Sequence, residues 1–563
     1  MKNEGRLRGP RAGLIIMLLT LVAYSPSLRG GFSWDDDLLI TQNRMVKARD
    51  GLYRFWFTAE APDYRPVTWS LWWLEWRCWD GRPLGYHVVN VVLHAVTAVL
   101  VWLILRRLNI PGAWLAALVF AVHPVNVATV AWISEQKNTL SMLFYALAIF
   151  LYLRFDEEGR WAWYGWSLAS FLVALLTKTA VVMLPFVLLG CAWWRHERVR
   201  WKDLLCDIPF FLPSLGMGIV TIVQHQRALA GAIVQAGGGA ARLATAGWVP
   251  WFYLSKALLP VNLMVIYPRW EVDPTRWVSY VPGTLLVGCL VASWWNRKTW
   301  GRAVLFGLGY FLVTLFPVLG FFDQSFYYYS WVADHWQYYS IIGIIALVVA
   351  AGEKICRTMY QRNRRVDVPV PFGAELVGIT ALIVLGAATW SRCCIYADNA
   401  TLWRDNLAKN PSAWVAHNNL GNALRQVGKL SEAVAHFEEA LRLNPDYAQA
   451  HNNLGAALWQ KGESREAVDH YERALQLKPD YAEARNNLAI AQAQLGKYPA
   501  AVADFEEALR IQPDNADTHY NLGVTLERLG RVQAAIDHYE QALQIEPRMT
   551  IAQNRLARLR AAQ

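Results

Sequence analysis

The chain has 563 residues, of which 55% are hydrophobic, and a formal net charge of +10. This length exceeds one ordinary domain core, and most apolar residues precede about residue 390. The basic residues cluster at the ends of apolar segments, which indicates contact with lipid headgroups and argues against nucleic acid as a partner. None of the seven cysteines forms a Cys-x-x-Cys pair, so cysteine chemistry is not expected.

The first apolar segment, Leu14–Leu28, is either a cleaved signal peptide or a retained helix. No convincing cleavage site follows it and many apolar segments come later, so we predict a retained helix with a cytoplasmic N-terminus. It ends at the motif Gly31-Phe32-Ser33-Trp34-Asp35-Asp36-Asp37. An acid held at the bilayer surface suits a general base that meets a lipid-borne substrate. Asp35 and Asp36 are therefore candidate bases, whereas Asp37 is expected to cap a following turn.

The helix predicted after this acidic loop carries an aromatic stripe. Its tryptophans recur at helical spacing, at Trp69, Trp72, Trp73 and Trp76. The stripe either lies among the lipid headgroups at the outer interface or packs against other helices. Both arrangements place Arg65, just before this helix, near the acidic loop.

The next predicted helix presents a polar face inside the bilayer. The face consists of His87, Asn90 and His94. Such residues either form hydrogen bonds to neighbouring helices or contact a substrate directly.

Eleven membrane spans are predicted from the apolar runs. They cover about 14–28, 85–105, 113–133, 140–153, 161–177, 181–194, 208–223, 279–295, 303–320, 338–351 and 374–390. An odd count places the C-terminal half on the outer face with the acidic loop, residues 29–84, and leaves the main basic clusters inside. Segment 248–266 is apolar but contains two prolines, so it is either re-entrant or a further span that reverses this orientation.

Three further polar clusters fall near the outer ends of predicted helices and are expected to converge. They contain Glu135 and Lys137, then Lys178, then Asp334 and His335. Each alone is typical of a snorkelling cation or a satisfied helix end. Together they offer the cations and hydrogen-bond donors that a lipid phosphate requires.

From about residue 397 the chain is polar and repetitive. Prolines recur every 34 residues, at 411, 445, 479, 513 and 547, which is the period of the tetratricopeptide repeat. Glycine, alanine and aromatic columns keep the same register, as expected where two helices approach closely and an aromatic ring fills the gap. The pattern predicts four repeats over about 414–549, a leading half-repeat at 400–409 and a capping helix at 551–562.

One column of the repeats is a candidate peptide-binding ladder. It consists of Asn419, Asn453, Asn487 and Asn521. First helices line the concave face of such a solenoid, where amides can hold the backbone of an extended peptide. The column resembles that of the cytosolic O-GlcNAc transferase, whose groove holds protein substrates. The alternative is a consensus residue that bonds to the neighbouring helix.

Together these motifs resemble those of the transmembrane and tetratricopeptide-repeat O-mannosyltransferases, in a bacterial form. The resemblance covers nearly the whole chain and rests on Phe32–Asp37, Tyr64–Thr68, Gly85–Asn90 with His94, His123–Asn126, Ala131–Glu135, Leu176–Lys178 and Ala333–Asp334. It implies a GT-C glycosyltransferase that moves a sugar from a polyprenyl phosphate to protein hydroxyls with inversion. It also implies an aspartate base in the first outer loop, and it adds His123 to the polar residues of interest.

The sequence thus predicts an all-α protein with a membrane helix bundle at 1–392 and a soluble solenoid at 397–563. We expect an integral-membrane O-mannosyltransferase of the bacterial inner membrane, with the acidic loop and the repeats on the periplasmic face. Membrane lipids, a polyprenyl-phosphate sugar and a protein acceptor are the expected partners, and neither a metal nor a cofactor is expected. The donor is assigned to Arg65, Glu135, Lys137, Lys178, Asp334 and His335.

Two alternatives to this function remain open. A lipid-linked glycan ligase would also have many spans, but its key basic residues are expected in a large late outer loop. A non-catalytic, membrane-anchored repeat scaffold would need neither the three carboxylates beside the bilayer nor buried histidine and lysine.

Overall fold

The computed structural model describes residues 9–228, 238–362 and 371–561. All regular structure in these ranges is helical, so the predicted all-α class is confirmed. The chain divides into two compact units, Met1–Lys409 and Asn410–Gln563. Each unit has its own core, and the two are described separately below.

The first unit is a bundle of helices of very unequal length. Its α-helices are α1 (Pro10–Ala23), α2 (Arg44–Lys47), α3 (Gly51–Phe57), α4 (Pro66–Trp79), α5 (Pro83–Arg107), α6 (Ala113–Ala121), α7 (Val127–Val130), α8 (Gln136–Glu158), α9 (Trp161–Thr177), α10 (Leu184–His196), α11 (Trp201–Ala228), α12 (Gly239–Leu258), α13 (Val281–Trp295), α14 (Gly301–Leu315), α15 (Ile341–Arg362), α16 (Pro371–Ile395) and α17 (Asn399–Lys409).

The number of spans differs from the eleven predicted, although each predicted segment is at least partly helical. Within the described ranges, seven helices are long and apolar enough to cross a membrane, or eight if the bent pair α6 and α7 forms one span. Helices α1 and α9 are apolar but shorter, with 14 and 17 residues. The second half of α15 carries Glu353, Lys354 and Arg357. The orientation deduced from an odd count therefore stays a prediction.

Segment 248–266 is not one continuous helix. Helix α12 ends at Leu258, just before Pro260, and the chain has no regular helix from there to Trp277. Proline has no backbone N–H and its ring clashes with a preceding helical turn, which explains the end of the helix. A full crossing by this segment is thus not supported by its secondary structure.

A break between α6 and α7 changes the direction of the chain at one end of the bundle. The two helical pieces are bent by 44° at His123 and Pro124, where proline cannot continue the hydrogen-bond ladder. After α7, the 3-10 turn Ile133–Glu135 leads directly into α8. The turn therefore presents Ser134 and Glu135 where the chain re-enters the bundle.

The tryptophan stripe of α4 packs inside the protein rather than among headgroups. Trp69 and Trp72 are each 2% exposed. They lie in one core with residues of the acidic loop, of α2, α3 and α5 and of the turn before α8, namely Ile40, Val46, Phe55, Tyr86 and Ile133. The indole N–H of Trp72 donates to Oε1 of Gln136 at 3.0 Å. Of the two arrangements predicted for the stripe, the structure therefore shows packing against other helices.

The second unit is the predicted repeat solenoid. Its helices are α18 (Trp414–Gln426), α19 (Leu430–Leu443), α20 (Ala448–Lys461), α21 (Ser464–Leu477), α22 (Ala482–Gln494), α23 (Tyr498–Ile511), α24 (Ala516–Arg528), α25 (Val532–Ile545) and α26 (Thr550–Ala561). They form four helix pairs and a final helix, as predicted. A Cβ atom on Gly455 would lie 2.8 Å from the ring of Tyr471, so the glycine permits the close approach of the paired helices. The segment predicted as a leading half-repeat, 400–409, instead belongs to the first unit as α17.

Candidate active site

The acidic loop holds its first two carboxylates in different surroundings. Asp36 is fully buried, and its two oxygens accept the backbone N–H groups of Ser33 at 2.8 Å and Ser134 at 2.7 Å. Asp35 is only half-buried, and its Oδ1 accepts the hydroxyl of Ser134 at 2.7 Å. Asp36 therefore fixes the loop to the turn before α8, whereas Asp35 keeps an accessible face.

Burial raises the pKa of both carboxyls. The pKa of Asp35 lies above its ordinary value because of desolvation, opposed in part by Lys137 and by the Ser134 hydroxyl. Desolvation and the neighbouring Asp35 charge raise the pKa of Asp36 further. Two adjacent carboxyls resist simultaneous ionisation, and a raised pKa makes the more accessible one a stronger base.

Asp37 does not cap a turn through its side chain. It is the first residue of the short helical turn Asp37–Thr41, and its Oδ1 accepts the hydroxyl of Thr41 at 2.7 Å. The carboxylate therefore bonds within the turn rather than to its backbone N–H groups.

The predicted polar clusters converge around one buried carboxylate. Oε1 of Glu135 lies 3.0 Å from Nζ of Lys137, and its Oε2 lies 3.6 Å from Nζ of Lys178. The amide of Asn138 also donates to Oε2. Each ammonium has three donors and spends only one on Glu135, so donors remain for an anion.

The segment around Arg65 contacts the chain next to Lys178. Thr68, in the first turn of α4, donates its hydroxyl to the carbonyl of Thr177 at 2.8 Å. Arg65 pairs with Asp63 at 2.8 Å. Burial lowers the pKa of Lys178 to about 7, helped by the charges of Lys137 and Arg65 and opposed by Glu135. Arg65 therefore lies near the cations of the site, as predicted.

His335 reaches this site but does not add a fixed positive charge. Its ring packs edge-on against Trp132 with centroids 5.9 Å apart, and Glu135, Lys178 and Lys137 influence its charge. Burial lowers the pKa of His335 to about 4. The imidazole is thus neutral at pH 7 and offers a hydrogen bond only.

Asp334 belongs to a different cluster from the one predicted. The hydroxyl of Tyr267 donates to its Oδ1 at 2.6 Å. Burial raises the pKa of Asp334 to about 6, against the lowering effect of Arg392, Tyr267 and Lys256. The carboxylate therefore contacts the loop after α12 and does not join the lysines of the site.

The intramembrane polar residues mostly bond to neighbouring helices. Nδ1 of His94 lies 2.7 Å from the Tyr338 hydroxyl, and Asn90 donates to the carbonyl of Val130 at 2.9 Å. Nε2 of His123 lies 3.2 Å from the carbonyl of Ala257. His87 is buried against the acidic loop, where a Cβ atom on Gly30 would lie 3.0 Å from its Nε2. The contacts of Asn90, His94 and His123 agree with the inter-helix alternative, whereas His87 packs against Gly30 of the acidic loop.

The asparagine column of the repeats bonds between helices in two of its four positions. Asn453 donates to Oδ1 of Asn418 at 2.8 Å, and Asn487 donates to Oδ1 of Asn452 at 2.9 Å. No such bond joins Asn419 or Asn521 to another repeat among the described contacts. The alternative of a consensus residue that bonds to its neighbouring helix therefore describes the middle of the column.

Several residues of the site were not anticipated from the sequence. Asn399 and Trp403 contact Trp34 of the acidic loop, and Gln136 donates to the buried carboxyl of Glu75 at 2.6 Å. The one sequence signal was the Asp398 to Thr401 spacing, which caps α17 through a 2.9 Å bond. That signal marks a helix start and says nothing about a partner 365 residues away.

The arrangement joins the half-buried Asp35 through Ser134 to the turn that holds Glu135 and its two lysines. Within the described ranges, no group of three or more histidine, cysteine or acidic residues is placed to hold a metal ion. The fold and the site define a polytopic membrane protein that carries a tetratricopeptide-repeat array and a cluster of acidic and basic residues beside its first apolar helix.

The family comparisons agree with this class. The family model described as dolichyl-phosphate-mannose-protein mannosyltransferase matches residues 80–223. Models of the tetratricopeptide repeat match residues 421–462, 458–516 and 486–550. The chain is similar to relatives named protein O-mannosyl-transferases, which confirms the resemblance drawn from the sequence.

Three relatives show the extent of this similarity. A protein O-mannosyl-transferase of Caenorhabditis elegans is 25% identical over 78% of this chain and 64% of its own length. One from Drosophila melanogaster is 31% identical over 29% of this chain and 20% of its own length. A human one is 30% identical over 30% of this chain and 27% of its own length. The matched part is less than two thirds of each relative.

The solved structures that are similar to this chain include tetratricopeptide-repeat proteins. The crystal structure of YrrB, described as a TPR protein with an unusual peptide-binding site, is 22% identical. It covers 35% of this chain and 96% of its own chain, with a TM-score of 0.25.

Proposed function

We propose that the protein is a GT-C-type glycosyltransferase that moves mannose from a polyprenyl phosphate to serine or threonine hydroxyls of a polypeptide. One observation carries this proposal. The half-buried Asp35 is joined through Ser134 to the turn that holds Glu135, whose carboxylate binds both Lys137 and Lys178. A base and an anion-binding pair that are linked through one short turn suit attack by a hydroxyl on a sugar phosphate.

Asp35 is the proposed general base. It keeps solvent contact and spends one oxygen on a hydroxyl, whereas Asp36 spends both oxygens on backbone N–H groups. The acceptor hydroxyl gives its proton to Asp35 as its oxygen forms a bond to the anomeric carbon. The bond from that carbon to the phosphate oxygen breaks, and inversion follows because a single displacement attacks from the opposite face.

Lys137 and Lys178 are proposed to hold the leaving phosphate, with Arg65 nearby. Glu135 keeps both ammonium groups in place and offsets part of their charge before the donor binds. The polyprenyl phosphate leaves as a stable anion, so little acid assistance is needed and positioning supplies most of the rate. His335 contributes a neutral hydrogen-bond donor, and no metal or other cofactor is expected.

The repeat unit is proposed to hold the polypeptide acceptor. Repeat solenoids commonly present an extended concave surface to peptides. We place the enzyme in a bacterial inner membrane, with Asp35 and the repeats on the periplasmic side. Against a ligase, the late segment 316–340 contains no lysine or arginine.

The test is transfer by purified full-length protein. The protein is incubated with polyprenyl-phosphate mannose and a serine- and threonine-rich peptide, and released polyprenyl phosphate and hexose-modified peptide are measured. We expect Asp35→Asn to lower kcat by about 10²–10⁴-fold, the usual contribution of a general base. Asp37→Asn is the matched control and should retain activity, because Asp37 bonds only within its own turn.

Three results would count against the proposal. Full activity of Asp35→Asn removes the assigned base. If the protein transfers no sugar from any polyprenyl phosphate but does transfer intact lipid-linked glycans, the ligase is favoured. If it uses neither donor, the scaffold is favoured.

A further inference from the structure

The acidic loop is held by the chain segment that follows the last membrane helix. The backbone N–H of Gly31 donates to the carbonyl of Ala397 at 3.1 Å. The backbone N–H of Trp34 donates to Oδ1 of Asn399, the first residue of α17, at 2.9 Å. The residue before Asp35 is therefore fixed from a point 365 residues further along the chain.

Trp34 has a backbone conformation that needs such support. Its φ is +51°, in the left-handed region that side chains other than glycine rarely adopt. Its indole stacks on Trp132 with ring centroids 5.2 Å apart. It also packs edge-on against Trp403 of α17, with ring centroids 5.1 Å apart. Strained residues persist only where the surroundings over-determine them, and here both backbone and ring are held.

Helix α17 is anchored independently of the acidic loop. Oδ1 of Asn406 accepts the backbone N–H groups of Val265 and Ile266 at 2.9 and 2.8 Å. Asp405 pairs at 2.7 Å with both Arg392 of α16 and Lys409. Apart from its contacts with Trp34, the helix is thus bound to two other parts of the first unit.

We propose that α17 positions Asp35, with Asn399 and Trp403 as positioning residues that hold Trp34 in its left-handed conformation. The proposal rests on the proposed function, because it concerns the same base. It adds that the first unit completes its site only with residues that lie beyond the last membrane helix. Lys409 ends α17 and the repeat unit begins at the next residue, so the acidic loop is anchored to the segment that leads into the repeats.

The test compares three variants of the full-length protein. Asn399→Ala removes the acceptor for the Trp34 N–H, whereas Asn399→Asp keeps an acceptor of the same shape. Arg404→Ala, on the exposed side of α17, is the matched control. Amide hydrogen exchange of residues 30–42 is measured by mass spectrometry, and kcat and KM are measured at the pH optimum of each variant.

We expect Asn399→Ala to speed exchange in residues 30–42 and to lower kcat by about 10²-fold, as a misplacement of about 1 Å does, with KM for the donor little changed. Asn399→Asp should restore both properties, and Arg404→Ala should resemble the wild type. Unchanged exchange in Asn399→Ala would overturn the proposal. So would an equal loss of kcat in Asn399→Asp.

The exchange measurement separates this proposal from the proposed function. If the wild-type protein transfers no sugar, the proposed function fails while exchange in residues 30–42 still decides whether α17 holds the loop. If transfer occurs and Asn399→Ala has normal kcat, the positioning role fails and Asp35 keeps its assignment. Trp403→Phe and Trp403→Ala extend the comparison, since only the alanine variant removes the ring that contacts Trp34.

Discussion

Asp35 and Asp36 are neighbours in the chain, yet their hydrogen bonds give them different tasks. Asp36 accepts two backbone N–H groups from two segments, so it holds the loop to the turn before α8. Asp35 retains an accessible face beside Ser134. We propose that these two identical side chains divide support and chemistry between them through their different hydrogen bonds and burial.

We expect Asp36→Asn to destabilise the protein more than Asp35→Asn does. The new amide keeps one acceptor oxygen but presents N–H donors to a backbone N–H, so one buried donor loses its partner. Such a loss costs about 1–3 kcal/mol. Thermal unfolding of the purified protein measures the difference, and equal unfolding temperatures for the two variants would contradict the assigned roles.

The pH dependence of kcat/KM should be bell-shaped. Asp35 must be ionised to accept a proton, so activity falls as the pH drops through a pKa raised above the ordinary aspartate value. Lys178 must be protonated to bind the donor phosphate, so activity also falls as the pH rises through its pKa of about 7.

The variant Lys178→Arg tests the alkaline side. Arginine stays charged at this pH, so the alkaline fall should move to higher pH while the acid fall stays. A steady-state pH profile of both proteins measures the shift. An unchanged alkaline fall would assign it to another group.

At the scale of elements, two members of the asparagine column form hydrogen bonds between neighbouring repeats. Asn453 is 6% exposed, and it donates to Oδ1 of Asn418, which is itself fully buried. Asn487 makes the equivalent bond to Asn452. The sequence alone does not distinguish such bonds from a peptide-binding ladder, because both uses place an amide on the first helix of each repeat.

We therefore expect Asn453→Ala to lower the stability of the repeats. The change leaves a buried carbonyl oxygen without its donor, at a cost of about 1–3 kcal/mol. Asn521→Ala is the control, since no bond from its amide to another repeat is described. Thermal unfolding followed by circular dichroism compares the two, and an equal effect would mean that the inter-repeat bond contributes little.

At the scale of the whole molecule, the proposed reaction requires the acidic loop and the repeats to share one side of the membrane. The orientation rests on the basic clusters and on an odd number of crossings, whereas length and composition support seven or eight spans within residues 9–228, 238–362 and 371–561. Direct labelling is therefore needed.

Single cysteines test this orientation in a protein whose exposed Cys78, Cys289 and Cys394 are replaced by serine. Leu38→Cys and Val427→Cys, at positions 70% and 69% exposed, should react with a membrane-impermeant maleimide in intact spheroplasts. Lys298→Cys should react only after permeabilisation. Reaction of Val427→Cys only after permeabilisation would place the repeats opposite Asp35 and end the proposed mechanism.

The sequence by itself determined the elements whose cause is local. The period of 34 residues specifies the repeats, because each unit packs only against its neighbours. Apolar runs specify most of the membrane helices, and the Asp35 motif after the first one identifies the candidate base. Local pattern also predicted that Glu135, Lys137 and Lys178 meet, because all three lie near predicted helix ends on the same face of the membrane.

Only the tertiary structure decided which groups act together across long distances in the chain. It separated Asp334 from the lysines through its bond to Tyr267, and it assigned α17 to the first unit rather than to the repeats. It also distinguished Asp35 from Asp36, because burial depends on what packs around a residue. Trp34, whose backbone is left-handed, bonds to Asn399 and stacks on Trp132. Contacts between such distant segments leave no periodic signal in a sequence.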